Sequence, residues 1–361
     1  MRWIYALLAV VFAGESVPME GQVRGAVYVR TDSDHTTVVS PRAHLRQPIG
    51  SPRTRIDVTY GLDAWTSASV DIRTAATATV REVRHEATAG LERERGTSSW
   101  SAGYRVSYEP DYLANSGSLA GQVELAQRTV TLGGRLFGAL DRVGRAGDAA
   151  FHEPLRAGGA LLSAGFVLTR TTLLQFAYEL RGALGYMASP YRFVAIGGDG
   201  TCSALAEFCV PEIHPRRRSR HAAVLRARQA LGRKLAVGGL YRFYIDSWGL
   251  RSHTTAIDLT VTPRRGLSLA LELRSYAQSG AFFYQPRYLS SGTGGYFTRD
   301  RELSSLGSQR LALHTTYTRP VGRGALELGA LLAGTRIAYD AFVGLARVGA
   351  LELSAMLGGR Y

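Results

Sequence analysis

The stretch Arg347-Val-Gly-Ala-Leu-Glu-Leu-Ser-Ala-Met-Leu-Gly-Gly-Arg-Tyr361 alternates between apolar and polar residues. Leu351 and Leu353 fall on one side of it, whereas Glu352 and Arg360 fall on the other. Successive side chains of a strand point to opposite faces, so one face is mainly apolar and the other carries charge. A strand that ends on an aromatic residue is typical of membrane barrels, whose aromatic residues form girdles at the membrane interfaces. The stretch therefore predicts an outer-membrane β-strand.

Segments of the same kind recur throughout the chain. Arg55–Asp63, Leu174–Arg181, Tyr241–Asp246, Leu267–Arg274 and Arg310–His314 all alternate in this way. With their flanks they are longer than the usual strand of a soluble sandwich and reach the roughly 9–11 residues that a tilted membrane strand needs. The sequence predicts an all-β chain.

Short and long connections alternate between these segments. Short turn signals fall at Pro48–Pro52, Arg95–Thr97, Gln127–Thr129, Thr169–Thr171, Gly232–Lys234, Pro263–Gly266 and Pro320–Gly324. Longer polar loops are expected at Thr66–Thr77, Asp141–Pro154, Met187–Ser219 and Gly280–Ser304, with shorter links near Ser33, Pro110, Trp248 and Asp340. Short periplasmic turns and long outer loops are characteristic of bacterial barrels, which have an even number of strands. The count predicts a single antiparallel transmembrane β-barrel of about 16 strands, within a range of 14–18.

The first residues of the chain have the features of an export signal. Arg2 precedes an apolar run from Trp3 to Ala13, which is too short to span a bilayer. We predict a signal peptide over residues 1–20 and a single barrel domain over residues 21–361. In an exported chain two cysteines usually pair, so Cys202 and Cys209 are expected to form a disulfide within one loop rather than a metal site.

The net charge of +14 could indicate a nucleic-acid partner. However, the arginines are scattered over strands and loops, and only Arg216, Arg217, Arg218 and Arg220 form a cluster. We therefore expect no nucleic-acid partner. Acidic residues of the lumen should instead face arginines, as Glu179 faces Arg181 and Glu272 faces Arg274, because unpaired charges are costly in a partly wet interior.

The densest group of chemically active residues lies in Tyr241–Thr254. Alternation predicts that Arg242, Tyr244 and Asp246 face the lumen, where they could hold a charged solute or brace the barrel through an ion-pair network. Trp248 and His253 belong to the same segment, and His253 is expected to be a hydrogen-bonded loop residue. Ser247 and His253, with Asp246, also have the residue types of a hydrolase, although no GxSxG elbow accompanies them.

A second acidic group comprises Asp57, Asp63 and Asp71. Calcium prefers carboxylate and carbonyl oxygens, but these residues do not follow the EF-hand spacing. The glycine-rich stretches lack the lysine and the Ser/Thr of a phosphate-binding loop. We expect neither a metal nor a cofactor, and interpret these acids as lumen and loop charges.

Several stretches together resemble a bacterial family of outer-membrane barrels known only as a domain of unknown function, in the form found in myxobacteria-like genomes. They are Thr36–Pro41, Asp63–Asp71, Val143–Asp148, Ala188–Phe193, Pro211–Pro215, Tyr241–Thr254 and Thr298–Leu303. The similarity spans nearly the whole mature chain, and Tyr241–Thr254 is its most distinctive part. The resemblance implies a barrel in the bacterial outer membrane, but no catalytic residues and no activity.

Three functions are compatible with these features. The first is a pore for a small, possibly anionic solute, since arginine-rich lumens favour anions. The second is a non-conducting accessory barrel that anchors an envelope assembly, and the third is a membrane-embedded hydrolase. The expected partners are the lipid bilayer, the barrel-assembly machinery and, for a pore, the solute. Complete pairing of the lumen charges would favour the accessory barrel, and unpaired arginines would favour the pore.

Overall fold

The computed structural model describes residues 21–67, 80–202, 206–290 and 292–361. The predicted signal peptide over 1–20 lies outside these residues. Two short 3-10 helices occur at Thr293–Gly295 and Arg301–Leu303. The strands are β1 (Gln22–Asp32), β2 (Thr36–Ile49), β3 (Ser51–Ser67), β4 (Val80–Arg95), β5 (Ser98–Glu109), β6 (Tyr112–Leu125), β7 (Val130–Arg145), β8 (Asp148–Val167), β9 (Thr172–Gly185), β10 (Phe193–Ile196), β11 (Phe208–Pro211), β12 (Arg217–Ala230), β13 (Leu235–Asp246), β14 (Arg251–Arg264), β15 (Leu267–Gln278), β16 (Leu306–Val321), β17 (Gly324–Tyr339) and β18 (Arg347–Arg360).

Sixteen of these strands form one closed antiparallel barrel, and β10 and β11 form a separate hairpin. Each barrel strand pairs with its neighbours along the chain, and β18 closes the ring against β1 through pairs such as Gln22 with Arg360. The predicted fold and strand number are confirmed. We call the rim that carries the short turns the inner rim and the opposite one the outer rim.

All seven predicted short turns coincide with hairpin turns of the structure. Their tightness depends on glycine at some positions. Gly266 has a φ of +80°, and a Cβ added there would lie 2.2 Å from the carbonyl oxygen of Thr318. A substitution at Gly266 would therefore strain the β14–β15 turn.

The predicted long loop at Asp141–Pro154 is wrong. Strands β7 and β8 continue through most of it, with Asp141 paired to Leu155 and Val143 paired to Glu153. Only a short turn around Gly147 (φ +79°) separates them. The stretch is polar but keeps a period of two, and the ladder follows that period. The expected loop at Thr66–Thr77 begins inside β3, and most of it lies outside the described residues.

The two faces of the wall differ as predicted from β18. Leu351 and Leu353 point outward and remain 45% and 46% exposed, whereas Glu352 points into the barrel and is 7% exposed. Outward leucines, valines and tyrosines recur around the ring. An apolar outer face over a polar inner face is the arrangement that lipid on the outside and water on the inside require.

Ion pairs line much of the lumen. Arg310 binds Glu352 and Glu272, with nitrogen–oxygen distances of 3.1 Å to each carboxylate. Glu179 contacts Arg181, as expected from the sequence. The expected pair of Glu272 with Arg274 does not form, because Arg310 lies directly opposite Arg274 on β16 and takes the carboxylate.

In the part of the chain that the structure describes, none of the helices has the length and apolar character to cross a membrane.

Candidate functional site

The outer rim carries two long loops, residues 186–216 between β9 and β12 and residues 279–305 between β15 and β16. We refer to their described residues together as the cap. The first loop contains the β10–β11 hairpin, and a disulfide joins Cys209 of β11 to Cys202 in the connection between the two strands. The second contains both 3-10 helices.

The two loops of the cap pack against each other. Ile196 bridges to Tyr288, and Ile213 bridges to Phe297. Phe283 has 0% exposure and lies in a buried apolar cluster. Loops that bury side chains this completely behave as a packed unit rather than as independent flexible segments.

The cap also contacts other outer links around the rim. Arg301 donates to Asp34 in the β1–β2 link at 2.5 Å, and Tyr191 donates to Asp111 in the β5–β6 link. The amide of Ala146 in the β7–β8 turn donates to Tyr191, and Arg299 donates to the carbonyl of Val343 in the β17–β18 link. Because these links lie on different sides of the ring, the cap extends across the outer mouth.

A buried carboxylate joins the two loops. Glu212 accepts hydrogen bonds from the hydroxyl of Thr298 (2.5 Å) and the amide of Arg299 (3.1 Å), both in the second loop. Within its own loop it lies 3.1 Å from Arg192 and 3.1 Å from Nε2 of His214. The Glu212 side chain is 0% exposed. We call these five residues the latch.

The latch should resist moderate acid. Burial alone would raise the pKa of Glu212, but the charge of Arg192 and the bonds from His214 and Thr298 outweigh it and lower the pKa to about 2. A carboxylate whose folded pKa is depressed stabilises the fold above its unfolded pKa, about 4.3, and this contribution is lost as pH falls toward the folded value. We expect Trp248 fluorescence, corrected with a Trp248→Phe variant, to stay constant from pH 7 to pH 5 and to change between about pH 4 and pH 2. The same change between pH 4 and pH 2 in a Glu212→Gln variant would contradict this role of Glu212.

The sequence motif around Asp246 connects the barrel wall to the cap. Asp246 accepts hydrogen bonds from Arg218 (2.8 Å), Tyr244 (2.8 Å) and the amides of Trp248 (2.9 Å) and Leu250 (3.1 Å). Its carboxylate thus fixes the β13–β14 turn. In this structure Asp246 braces the outer end of the barrel and is occupied by protein donors.

Trp248 extends this brace into the cap. Its indole donates to the carbonyl of Arg217 at 2.9 Å, and its ring packs edge-on against His214 and Phe283 at 5.3 and 5.4 Å between centroids. The guanidinium of Arg218 lies 4.1 Å from the centroid of the indole. The motif and the latch are therefore neighbouring parts of one structure.

Arg242 has a different environment from Asp246. It faces the lumen and lies 5.3 Å from the ring centroid of Tyr244, with no salt bridge to any acid in the described chain.

Four more lumen arginines on the same wall also form no salt bridge with an acid of the described chain. Together they form what we call the arginine track: Arg220, Arg226, Arg228, Arg242 and Arg274. Arg228 donates to the hydroxyl of Thr260 at 2.9 Å. The track follows β12 for about 26 Å from Arg220 to Arg228.

The residues of the hydrolase hypothesis do not assemble. Asp246 faces the lumen, whereas His253 faces outward and its Nδ1 lies 2.7 Å from the hydroxyl of Tyr241. The hydroxyl of Ser247 accepts a hydrogen bond from the amide of Ser219 at 3.0 Å. Because Asp246 and His253 lie on opposite faces of the wall, they cannot share a proton relay in this fold.

Asp63 is remote from this site. It lies on β3, eight strand steps from β13 in the ring, and its buried carboxylate is bound to Arg84 at 3.2 Å through Nε. Asp71 lies outside the described residues. Among those that are described, no group of three or more His, Cys, Asp or Glu residues could hold a metal ion.

Sequence reasoning missed the latch and most of the arginine track. Pro211–Pro215 and Thr298–Leu303 stood out as motifs, but nothing in either segment indicated that Glu212 and Thr298 meet, because 86 positions separate them. Arg226 and Arg274 occupy alternating positions like any other lumen residue. What distinguishes them is that neither forms a salt bridge with an acid of the described residues, and this depends on strand register and side-chain packing.

The closed 16-stranded ring with an apolar outer face and a charged lumen defines a β-barrel of the outer-membrane class. Residues 152–325 match the model of a family described as "Protein of unknown function (DUF3570)", which confirms the resemblance to a domain of unknown function over that segment. Of the stretches that carry it, Thr36–Pro41, Asp63–Asp71 and Val143–Asp148 lie outside the match. The chain matches no curated protein by sequence.

Solved structures share the fold at low identity. A bacterial polysaccharide outer membrane secretin is similar with a TM-score of 0.57 and 10% identity, over 96% of this chain and 100% of that one. CdiB from Acinetobacter baumannii is similar with a TM-score of 0.50 and 8% identity, over 93% of this chain and 60% of that one. These similarities concern the fold alone.

Proposed function

We propose that this protein is an outer-membrane channel for small anionic solutes, and that the cap is its closed outer gate. The outward apolar face supports insertion into the bacterial outer membrane by the barrel-assembly machinery, with lipid around the ring. A barrel of 16 strands is wide enough for an aqueous channel. The proposal therefore depends on what lines the lumen and what covers it.

The arginine track is the observation that carries the proposal. A buried or half-buried guanidinium without a counter-ion is costly, and many other arginines of this lumen are bound to acids, as Arg310 is to Glu352. The track instead leaves positive charge facing the interior. Rings and rows of arginine make a pore selective for anions.

The cap supports a second candidate, a non-conducting accessory barrel. Its packed core and its contacts around the outer rim would suit a surface that binds another envelope component. The two candidates differ in one measurable property, since only a channel conducts when the cap is opened.

Planar-bilayer recording of the purified full chain tests the proposal. In a KCl gradient we expect the wild type to open rarely and to show a reversal potential that indicates anion selectivity. A Glu212→Ala variant should open frequently with the same selectivity. Heat-modifiable migration on gels confirms that both proteins are folded barrels. If neither protein conducts, the channel proposal is overturned and the accessory barrel remains. Cation selectivity would overturn the role of the arginine track.

A further inference from the structure

Three members of the arginine track form a triangle on the wall below the outer rim. Arg226, Leu240, Ala256 and Arg274 are cross-strand neighbours in one row of β12–β15. Arg226 and Arg274 are thus three strand spacings apart, about 14 Å between backbones. Arg242 lies between them and one row, about 7 Å, closer to the outer rim.

Two aromatic residues flank the triangle: Tyr244 is one row nearer the outer rim than Arg242, and Tyr276 shares the row of Arg242. Tyr244 and Tyr276 lie on β13 and β15, and each packs against a buried apolar cluster at the outer rim. Their hydroxyls donate to Asp246 (2.8 Å) and Gln278 (2.5 Å). Both hydroxyls are therefore engaged by acceptors of the protein.

Three acids lie near the triangle without a salt bridge to it. Glu179 is one row nearer the outer rim than Arg242 and contacts Arg181. Asp258 and Glu272 lie one row closer to the inner rim, and Glu272 is held by Arg310. None of Arg226, Arg242 and Arg274 forms a salt bridge with an acid of the described chain. Leu240 and Ala256 lie between Arg226 and Arg274 in the same row, and their side chains are too short to fill the space between the two guanidiniums.

We propose that Arg226, Arg242 and Arg274 bind a small polycarboxylate whose two or three carboxylates are separated from one another. A planar guanidinium pairs with a carboxylate in a bidentate geometry. The backbones of the three arginines are about 8 to 14 Å apart, and their guanidiniums repel one another, which disfavours convergence on a single small anion. A solute with several separated carboxylates satisfies them together, and its apolar backbone lies over Leu240 and Ala256.

This site rests on the proposed function, because it is a binding step on the channel's anion path. It also lies next to the gate. Tyr244 donates to the same carboxylate, Asp246, that holds the β13–β14 turn and positions Trp248 against the cap. A solute bound at Arg242 therefore lies next to Tyr244, the first residue of this chain of contacts to the cap.

Calorimetric titration of the full chain in detergent, near pH 7 and in 0.15 M NaCl, tests the site with citrate, acetate and sulfate. We expect citrate to bind roughly 100-fold more tightly than acetate, since each added charge-assisted contact contributes tenfold or more. Sulfate, a compact dianion, should bind more weakly than citrate. The double variant Arg242→Gln, Arg274→Gln should lose at least about tenfold in citrate affinity.

The double variant Arg42→Gln, Arg135→Gln is the matched control, because both residues face the lumen from strands outside the triangle and the charge change is the same. Equal citrate loss in the two double variants, or equal affinity of the wild type for citrate and acetate, would overturn the site, as would sulfate binding as tight as that of citrate. Anion-selective conductance without a preference for citrate would overturn the proposed binding site but not the proposed channel. Citrate binding that depends on Arg242 and Arg274, without conductance in any variant, would support the binding site and overturn the channel.

Discussion

A Glu212→Ala chain is expected to conduct much more of the time than the wild type. The substitution removes the acceptor for Thr298 and Arg299 of the second loop and breaks the buried pair with Arg192, which keeps Asp300 at 3.4 Å. Breaking a buried ion pair by removing one partner typically costs about 3–5 kcal/mol. If this energy holds the cap closed, the ratio of closed to open states falls by roughly 10²-fold or more.

The matched control is Glu207→Ala, an acidic residue of the same loop whose side chain is exposed. It changes the charge of the cap by the same amount but removes no contact between the loops, so its open probability should equal that of the wild type. Trp248 fluorescence provides an independent measurement, since Trp248 packs against His214 of the latch. Unchanged conductance together with a changed Trp248 environment would mean that the latch orders the cap without closing the pore.

The strand pattern was predictable because it is local. A period of two is enforced by backbone geometry within each segment, and turn residues such as Gly266 are required by the φ of a single position. The even strand count follows because each short turn and each long link reverses the chain. The same logic failed at Asp141–Pro154, where polar composition suggested a loop although Asp141 and Val143 keep the period of the strand.

The site was predictable only where one strand carries it. Arg242, Tyr244 and Asp246 could be placed on the lumen face from their spacing alone. Their separate roles could not be predicted from spacing, because Asp246 accepts a hydrogen bond from Arg218 of another strand whereas Arg242 forms no salt bridge with an acid of the described chain. The latch depends on how two loops fold over the mouth, and tertiary packing of this kind leaves no periodic trace in either segment.

Replacing Arg226, Arg242 and Arg274 together by glutamate is expected to reverse the ion selectivity of the open channel. The change substitutes three negative for three positive charges on one wall of the lumen, near the cap. In a KCl gradient the reversal potential should change sign, with the anion-to-cation permeability ratio lowered at least tenfold, equivalent to about 1.4 kcal/mol. The measurement is best made in the Glu212→Ala background, where openings are frequent.

The control for this reversal carries the same charge change on the other face of the wall. Arg251, Arg336 and Arg347 point outward, so their replacement by glutamate alters net charge without altering the lumen. Charges in contact with the outer solution are screened within about 8 Å at physiological salt, and the outward triple variant should keep anion selectivity. If both triple variants shift the reversal potential equally, selectivity arises from the overall charge of the protein. If only the lumen variant shifts the reversal potential, the selectivity is assigned to the arginine track, because the two variants differ only in the face of the wall that carries the charge change.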